Sequence, residues 1–241
     1  MRKNGVLRKV LGRLGGCGAA GLLVVCVVVL IAQNAAWANP ATDRIPFGSL
    51  ESLDGCIGSE WQGAYARGTS IRYQRTSCAC SATYFPATVY LFHDEYNLYL
   101  GLRMCPGPAS ATWGQFRAFV LLDNGDSAFG NVGDDLLILP VTETGPLTGG
   151  LDYHYTWYAG SPLLGHTLDA QQDAQGFGMW HAATNMYDFE FCLRMASGDP
   201  QDVAITQGRP FSLVIGFEVY NRYGSYLYSG KAPALTAVVS R

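Results

Sequence analysis

The stretch Thr88–Met104, TVYLFHDEYNLYLGLRM, constrains the fold more than any other part of the chain. Two runs of β-branched, aromatic and aliphatic residues, Val89–Phe92 and Leu98–Leu102, flank the polar tip His93-Asp94-Glu95-Tyr96-Asn97. Such side chains suit the pleated surface of a sheet, and Asp and Asn suit tight turns, so the stretch reads as a β-hairpin. Strands are also predicted over Ser70–Arg75, Phe116–Leu122, Leu136–Val141, Leu151–Tyr158, Phe211–Tyr220 and Leu235–Val239. Met179–Thr184 and Tyr187–Met195 form a second hairpin, turning at Asn185-Met186. Thr76–Pro86 and Cys105–Gly114 read as loops, and His166–Gln175 as a loop or one helical turn. No segment sustains a helical apolar period. Roughly nine to eleven short strands without helices predict an all-β fold, a two-sheet antiparallel β-sandwich. It is expected to span residues 53–241 as a single domain, after an extended leader over residues 39–52.

Residues 1–38 are expected to be a signal peptide. Arg2, Lys3, Arg8, Lys9 and Arg13 make a basic start, and Ala19–Ala32 is a nearly unbroken apolar run. Ala36-Trp37-Ala38 then places small residues where a signal peptidase cleaves, before Asn39. The alternative is an uncleaved anchor, because the run approaches the length that spans a bilayer; only then would a membrane be a partner. Cys26 lacks the small residue expected just before a lipidated cysteine. A secreted or cell-envelope location follows. Without this segment 11 Lys and Arg face 19 Asp and Glu, a formal charge of −8. That balance disfavours nucleic acid and anionic lipid and suits neutral ligands or cations.

Cys56, Cys78, Cys80, Cys105 and Cys192 follow the leader, and outside the cytosol they can pair. A bridge from Cys105 to Cys78 or Cys80 would close the base of the hairpin, and an odd number leaves one thiol over. Zinc is disfavoured, since no second cysteine pair or spaced histidines accompany Cys78 and Cys80.

Asp54-Gly55 and Glu60-Trp61, followed by the hairpin VYLFHDEYNLYLGLRM, resemble the opening of family 9-like carbohydrate-binding domains. FVLLDNGD, GDDLLIL, YDFEFCLRM and FSLVIGFEVYN resemble later parts of the same domain, so the likeness runs from Leu53 to Tyr220. The hairpin motif is shared with DOMON domains, a group that binds haem or sugars. The resemblance implies an immunoglobulin-like or jelly-roll sandwich that holds ligands on a sheet face or rim loops. The Cys-rich loop and the tyrosine-rich Tyr220–Tyr228 segment depart from the pattern.

Asp123, Asp126, Asp134 and Asp135 lie in turn-rich sequence and are the metal candidates. Calcium takes about six to eight oxygens, which acidic loops supply; the same residues also serve ordinary turns by bonding their own backbone. Trp113, Tyr153, Tyr155, Trp157 and Trp180 are the ligand-binding candidates. Sugar C–H faces stack on flat rings while polar neighbours satisfy the hydroxyls, although rings of this size also fill cores. Along Leu151–Tyr158, Tyr153, Tyr155 and Trp157 share one strand face, and Asp152, His154 and Tyr158 the other. Trp61 is assigned to the core.

Haem would need a pair such as Met and His. Met104 and Met195 end apolar strands, His93 sits in the turn, and no Cys-x-x-Cys-His occurs, so haem is not expected. No sequence motif with a catalytic mechanism is present, so an enzyme is not expected. Glu190 and Glu218 lie in strands, where a basic partner such as Arg194 or Arg103 is a simpler expectation than a carboxylate pair. The sequence predicts a secreted, non-catalytic carbohydrate-binding sandwich, with the glycan on exposed aromatics near the rim loops. The alternatives are a cell-surface protein-contact domain that binds no sugar and a DOMON-like haem or redox module.

Overall fold

A computed structural model describes residues 42–75, 83–105, 113–123, 134–141, 151–155, 166–221, 223 and 226–240. Thirteen strands cross this region: β1 (Asp43–Ile45), β2 (Tyr65–Arg75), β3 (Thr83–His93), β4 (Asn97–Met104), β5 (Trp113–Asp123), β6 (Asp135–Pro140), β7 (Asp152–Tyr155), β8 (His166–Leu168), β9 (Gln175–His181), β10 (Met186–Arg194), β11 (Pro210–Asn221), β12 (Tyr226–Lys231) and β13 (Leu235–Val239). Among the described residues the single helical piece is a 3-10 turn at Ser59–Trp61. The fold is all-β.

Both predicted hairpins are present. β3 and β4 pair antiparallel with His93 opposite Leu98, and β9 and β10 pair with His181 opposite Met186. Asn185 takes the left-handed turn position, at φ 55. Beyond shifted ends, such as β3 beginning at Thr83 inside the stretch read as a loop, two stretches differ from expectation. Residues 166–168, read as loop or helical turn, pair with β7 as a short edge strand. The tyrosine-rich segment supplies β12, whose alternation is blurred because Tyr and Gly interrupt it. The extended stretch read as a leader carries β1, which pairs in parallel with β13.

The strands follow the order β8-β7-β6-β5-β11-β12-β2-β3-β4-β10-β9, with β13 added beside β11. This sheet folds over, so that its two halves face each other as a sandwich. Phe116 on β5 stacks on Tyr187 of β10 at 4.2 Å and on Phe217 of β11 at 5.3 Å. Phe85 on β3 meets Phe217 at 4.7 Å. Alternation supplies the rest of the core: Leu98, Leu100 and Leu102 from β4 and Phe189, Phe191 and Leu193 from β10 all point inward. Each large side chain buried in this way contributes about 1.5–3 kcal/mol. A second, smaller cluster of Phe119, Leu121, Leu136, Ile138 and Val214 lies on the opposite face of β5, β6 and β11.

Gly216 shows how tightly β11 is packed. A Cβ there would overlap the Gly230 carbonyl oxygen of β12 and the Phe119 ring. The backbone oxygen cannot retreat without breaking the β11–β12 ladder. Gly216→Ala is therefore expected to destabilise the domain by about 1–3 kcal/mol, read as a lower urea midpoint with an unchanged slope.

Candidate functional site

Three places gather polar side chains. The first lies on the outer face of β4 and β10, where Asp188 and Glu190 are fully buried. Residues 54–61 cross over them and supply donors. Glu190 accepts hydrogen bonds from the Asp54 and Gly55 amides, at 2.8 and 2.6 Å, and from Trp61 Nε1 at 2.8 Å. Asp188 accepts from Arg103 Nε at 2.8 Å and Nη2 at 2.6 Å, and from the Ile57 amide at 3.0 Å. Gly55 sits at φ +76, and Gly101 leaves room for the Trp61 ring above it. Burial pushes the Glu190 carboxyl up to about 7, against the pull of its three donors. Cys56 and His181 approach Asp188 closely enough to suggest a metal. Both Asp188 oxygens are already engaged, however, and burial, with Asp188 beside it, pushes the Cys56 thiol up and away from the thiolate. This network is a clamp that fixes residues 54–61 to the sheet.

The second place is an open groove of about 770 Å³ beside the tip of the β3–β4 hairpin. Phe47 and Tyr96, 64% and 71% exposed, line it together with Glu95, Met195, Thr206 and Gln207. Asp94 builds the turn beneath Tyr96. It accepts from the Tyr96 and Asn97 amides, both at 2.7 Å, and from the Tyr99 hydroxyl at 2.7 Å. Burial alone would raise Asp94, but these hydrogen bonds outweigh it and hold the carboxyl below its ordinary range. His93, read as a turn residue, instead ends β3 and is 2% exposed. Its ring nitrogens lie 2.8 Å from the Asp94 carbonyl and 2.7 Å from that of Ser240.

The third place is acidic. One carboxylate oxygen from each of Asp135, Asp152 and Asp202 lies within 4.8 Å of the others. Asp135 opens β6, Asp152 opens β7, and Asp202 follows β10. Burial, with Asp152 and Asp202 beside it, raises Asp135 well above the carboxylate range. Burial and Asp202 push Asp152 up to about 7, and burial with three neighbouring aspartates pushes Asp202 up to about 6.

Of the predicted site residues whose side chains are described, only Asp135 falls in one of these places. By strand alternation Asp135 faces the main core with Leu137 and Leu139, whereas Asp123 and Asp134 face the side of Leu121 and Leu136. Asp123 and Asp134 are buried and do not join Asp152 and Asp202. Trp180 packs on Tyr187 at 4.4 Å against the core, and Tyr153 packs on the smaller cluster with His166 at 5.1 Å. Asp126, Trp157 and the side chains of Trp113 and Tyr155 lie outside the described residues, as do Cys78 and Cys80 and residues 1–38. Cys105, Cys56 and Cys192 carry free thiols. Trp61 is buried, as assigned. Arg103 pairs with Asp188 rather than Glu190, and Glu218 accepts from the Tyr220 hydroxyl at 3.1 Å. Sequence reasoning passed over Phe47, in the supposed leader, and Tyr96, in the turn. It also passed over Asp202, which no local pattern marks. Asp152 left a usable signal: it alternates with Tyr153 and so faces the other way.

No family model matches the sequence, and no curated protein matches it. Among solved structures the chain is similar to "A carbohydrate binding module family 9 (CBM9) from Caldicellulosiruptor kristjanssonii in complex with cellotriose". The TM-score is 0.48 and the identity 13%, over 82% of this chain and 94% of that one.

The clamp is testable. Arg103→Ala would strand the Asp188 carboxylate in the interior and is expected to cost about 3–5 kcal/mol. Trp61→Phe removes one donor from Glu190 and is expected to cost about 1–3 kcal/mol. Chemical denaturation of both variants reads the difference.

Proposed function

We propose that the protein is a secreted or envelope-located, non-catalytic carbohydrate-binding domain whose glycan lies in the groove at the β3–β4 tip. One observation carries the reading: two strongly exposed aromatic rings, Phe47 and Tyr96, line the same open groove. Exposed rings cost free energy in water unless a partner covers them, and a pyranose C–H face is a partner that leaves the sugar hydroxyls to polar groups. Glu95, Thr206 and Gln207 supply donors and acceptors at the same rim. This reading prefers the groove to Tyr153 and Trp180, whose partly buried rings pack against apolar clusters. The signal-peptide reading of residues 1–38 supports the compartment, and the acidic balance suits a neutral ligand. Among the described residues no helix is long and apolar enough to cross a membrane.

A glycan array with the domain from Asn39 onward tests the proposal, followed by titration calorimetry on any hit. Tyr96→Ala is expected to keep the fold, since the ring is exposed, and to weaken binding roughly 2- to 12-fold, the value of one aromatic contact. Binding to no glycan above background would overturn the sugar reading and favour a protein-contact domain. A Soret band in the purified protein would favour the haem module.

A further inference from the structure

We propose that Asp135, Asp152 and Asp202 form a binding site for a hard divalent cation of the calcium class, tying the β6–β7 strand pair to the loop that follows β10. The spacing is the first support. Calcium–oxygen bonds of about 2.3–2.6 Å place ligand oxygens no more than about 5 Å apart across the ion. Here one oxygen from each carboxylate lies within 4.8 Å of the others. The second support is what the buried oxygens lack. Asp135 and Asp152 are only 5% and 2% exposed, and among the described residues Oδ1 of each meets no N–H or hydroxyl donor, the neighbours in reach being other carboxyl groups. A buried carboxylate oxygen with neither donor nor cation is costly, and native interiors provide one or the other.

The surroundings deepen the deficit. The charges acting most on Asp202 are those of Asp173, Asp169 and Asp199, all of the same sign. His154 faces Asp169 at 3.3 Å, so any charge on its ring is directed to that carboxylate. The donor set is oxygen only, which selects a hard ion over zinc or copper. Three carboxylates from a strand pair and a loop can also adapt to the loose coordination of calcium, where magnesium demands a near-ideal octahedron.

The loop has a second role. Val203 and Ile205 anchor it in the core, the Ile205 amide donates to the Met195 carbonyl at 2.7 Å, and Thr206 and Gln207 line the groove described above. A cation at Asp202 would hold that wall in place. The cation site itself does not depend on the carbohydrate reading, and its test uses no glycan.

The protein is dialysed against chelator and melted in EDTA, magnesium and calcium, and terbium luminescence is recorded. Calcium about 100-fold above its Kd is expected to raise the melting temperature by about 5–10 °C, with terbium emission that calcium displaces. Asp152→Asn and, at the partly buried Asp202, Asp202→Asn should lose both responses. In EDTA these variants should melt no lower than the parent, because each removes one of the mutually repelling charges. A shared proton is the competing way to neutralise the pair, and it predicts equal melting in all three media with no terbium signal; that result would overturn the proposal. Calcium stabilisation that survives in both variants would overturn it too, by placing the ion elsewhere.

Discussion

Two carboxylates with no access to water organise one whole layer of this domain. Asp188 and Glu190 occupy the outer face of β10, where strand alternation obliges every second side chain to point away from the aromatic core. A charged or hydrogen-bonding group there is tolerable only if donors are brought to it. Residues 54–61 bring them, as three backbone amides and an indole N–H, and Arg103 on the neighbouring strand completes the set. The Asp-Gly and Glu-Trp signature near the start of the domain is therefore legible as physics: the left-handed glycine exposes an amide, and the tryptophan carries a donor on an otherwise apolar plate. With residues 54–61 fixed, Ile57 and Trp61 cover Phe92 and Tyr99, and a third layer forms over the sandwich.

That layer also places the groove. Residues 46–48 lie along the end of β3, with the Gly48 amide 2.7 Å from the His93 carbonyl and the His93 amide 3.1 Å from that of Pro46. Phe47 is thereby held next to the hairpin turn, its ring edge-on to His93 at 5.5 Å. On the other side the loop after β10 contributes Thr206 and Gln207. The groove is assembled from three distant parts of the chain, each with its own anchor: a parallel bridge, a capped turn and a loop pinned by Val203 and Ile205.

The fold was largely legible because its signal is local. Alternating aliphatic and aromatic residues in Thr88–Met104 and Phe211–Tyr220 determine both strand identity and the inward face. His166–Leu168 was not legible, since three residues, two of them polar, become a strand only when a neighbour offers an unpaired edge. The sites were harder to read for a related reason. Asp123, Asp134 and Asp135 are near one another in sequence, and period-two geometry sends Asp135 to the opposite face from the other two. Its companions, Asp152 and Asp202, are 17 and 67 residues away by number. Aromatic residues are as scattered: Tyr153 and Trp180 meet apolar neighbours, while Phe47 and Tyr96 emerge from segments that look like leader and turn.

The parallel pairing of β1 with β13 has a consequence beyond registry. β13 hydrogen-bonds to β11 on one side, and without β1 its other side would offer a row of unsatisfied amides and carbonyls, the template from which sheets recruit foreign strands. Three residues, Asp43–Ile45, close that edge. Ser240 Oγ donates to the Ile45 carbonyl at 3.1 Å, and Arg67 reaches Asp43 at 2.6 Å, so the short strand is fastened at both ends. Proteolysis just past Ile45 would take a single buried side chain from the core and turn a self-contained domain into one open to β-strand exchange.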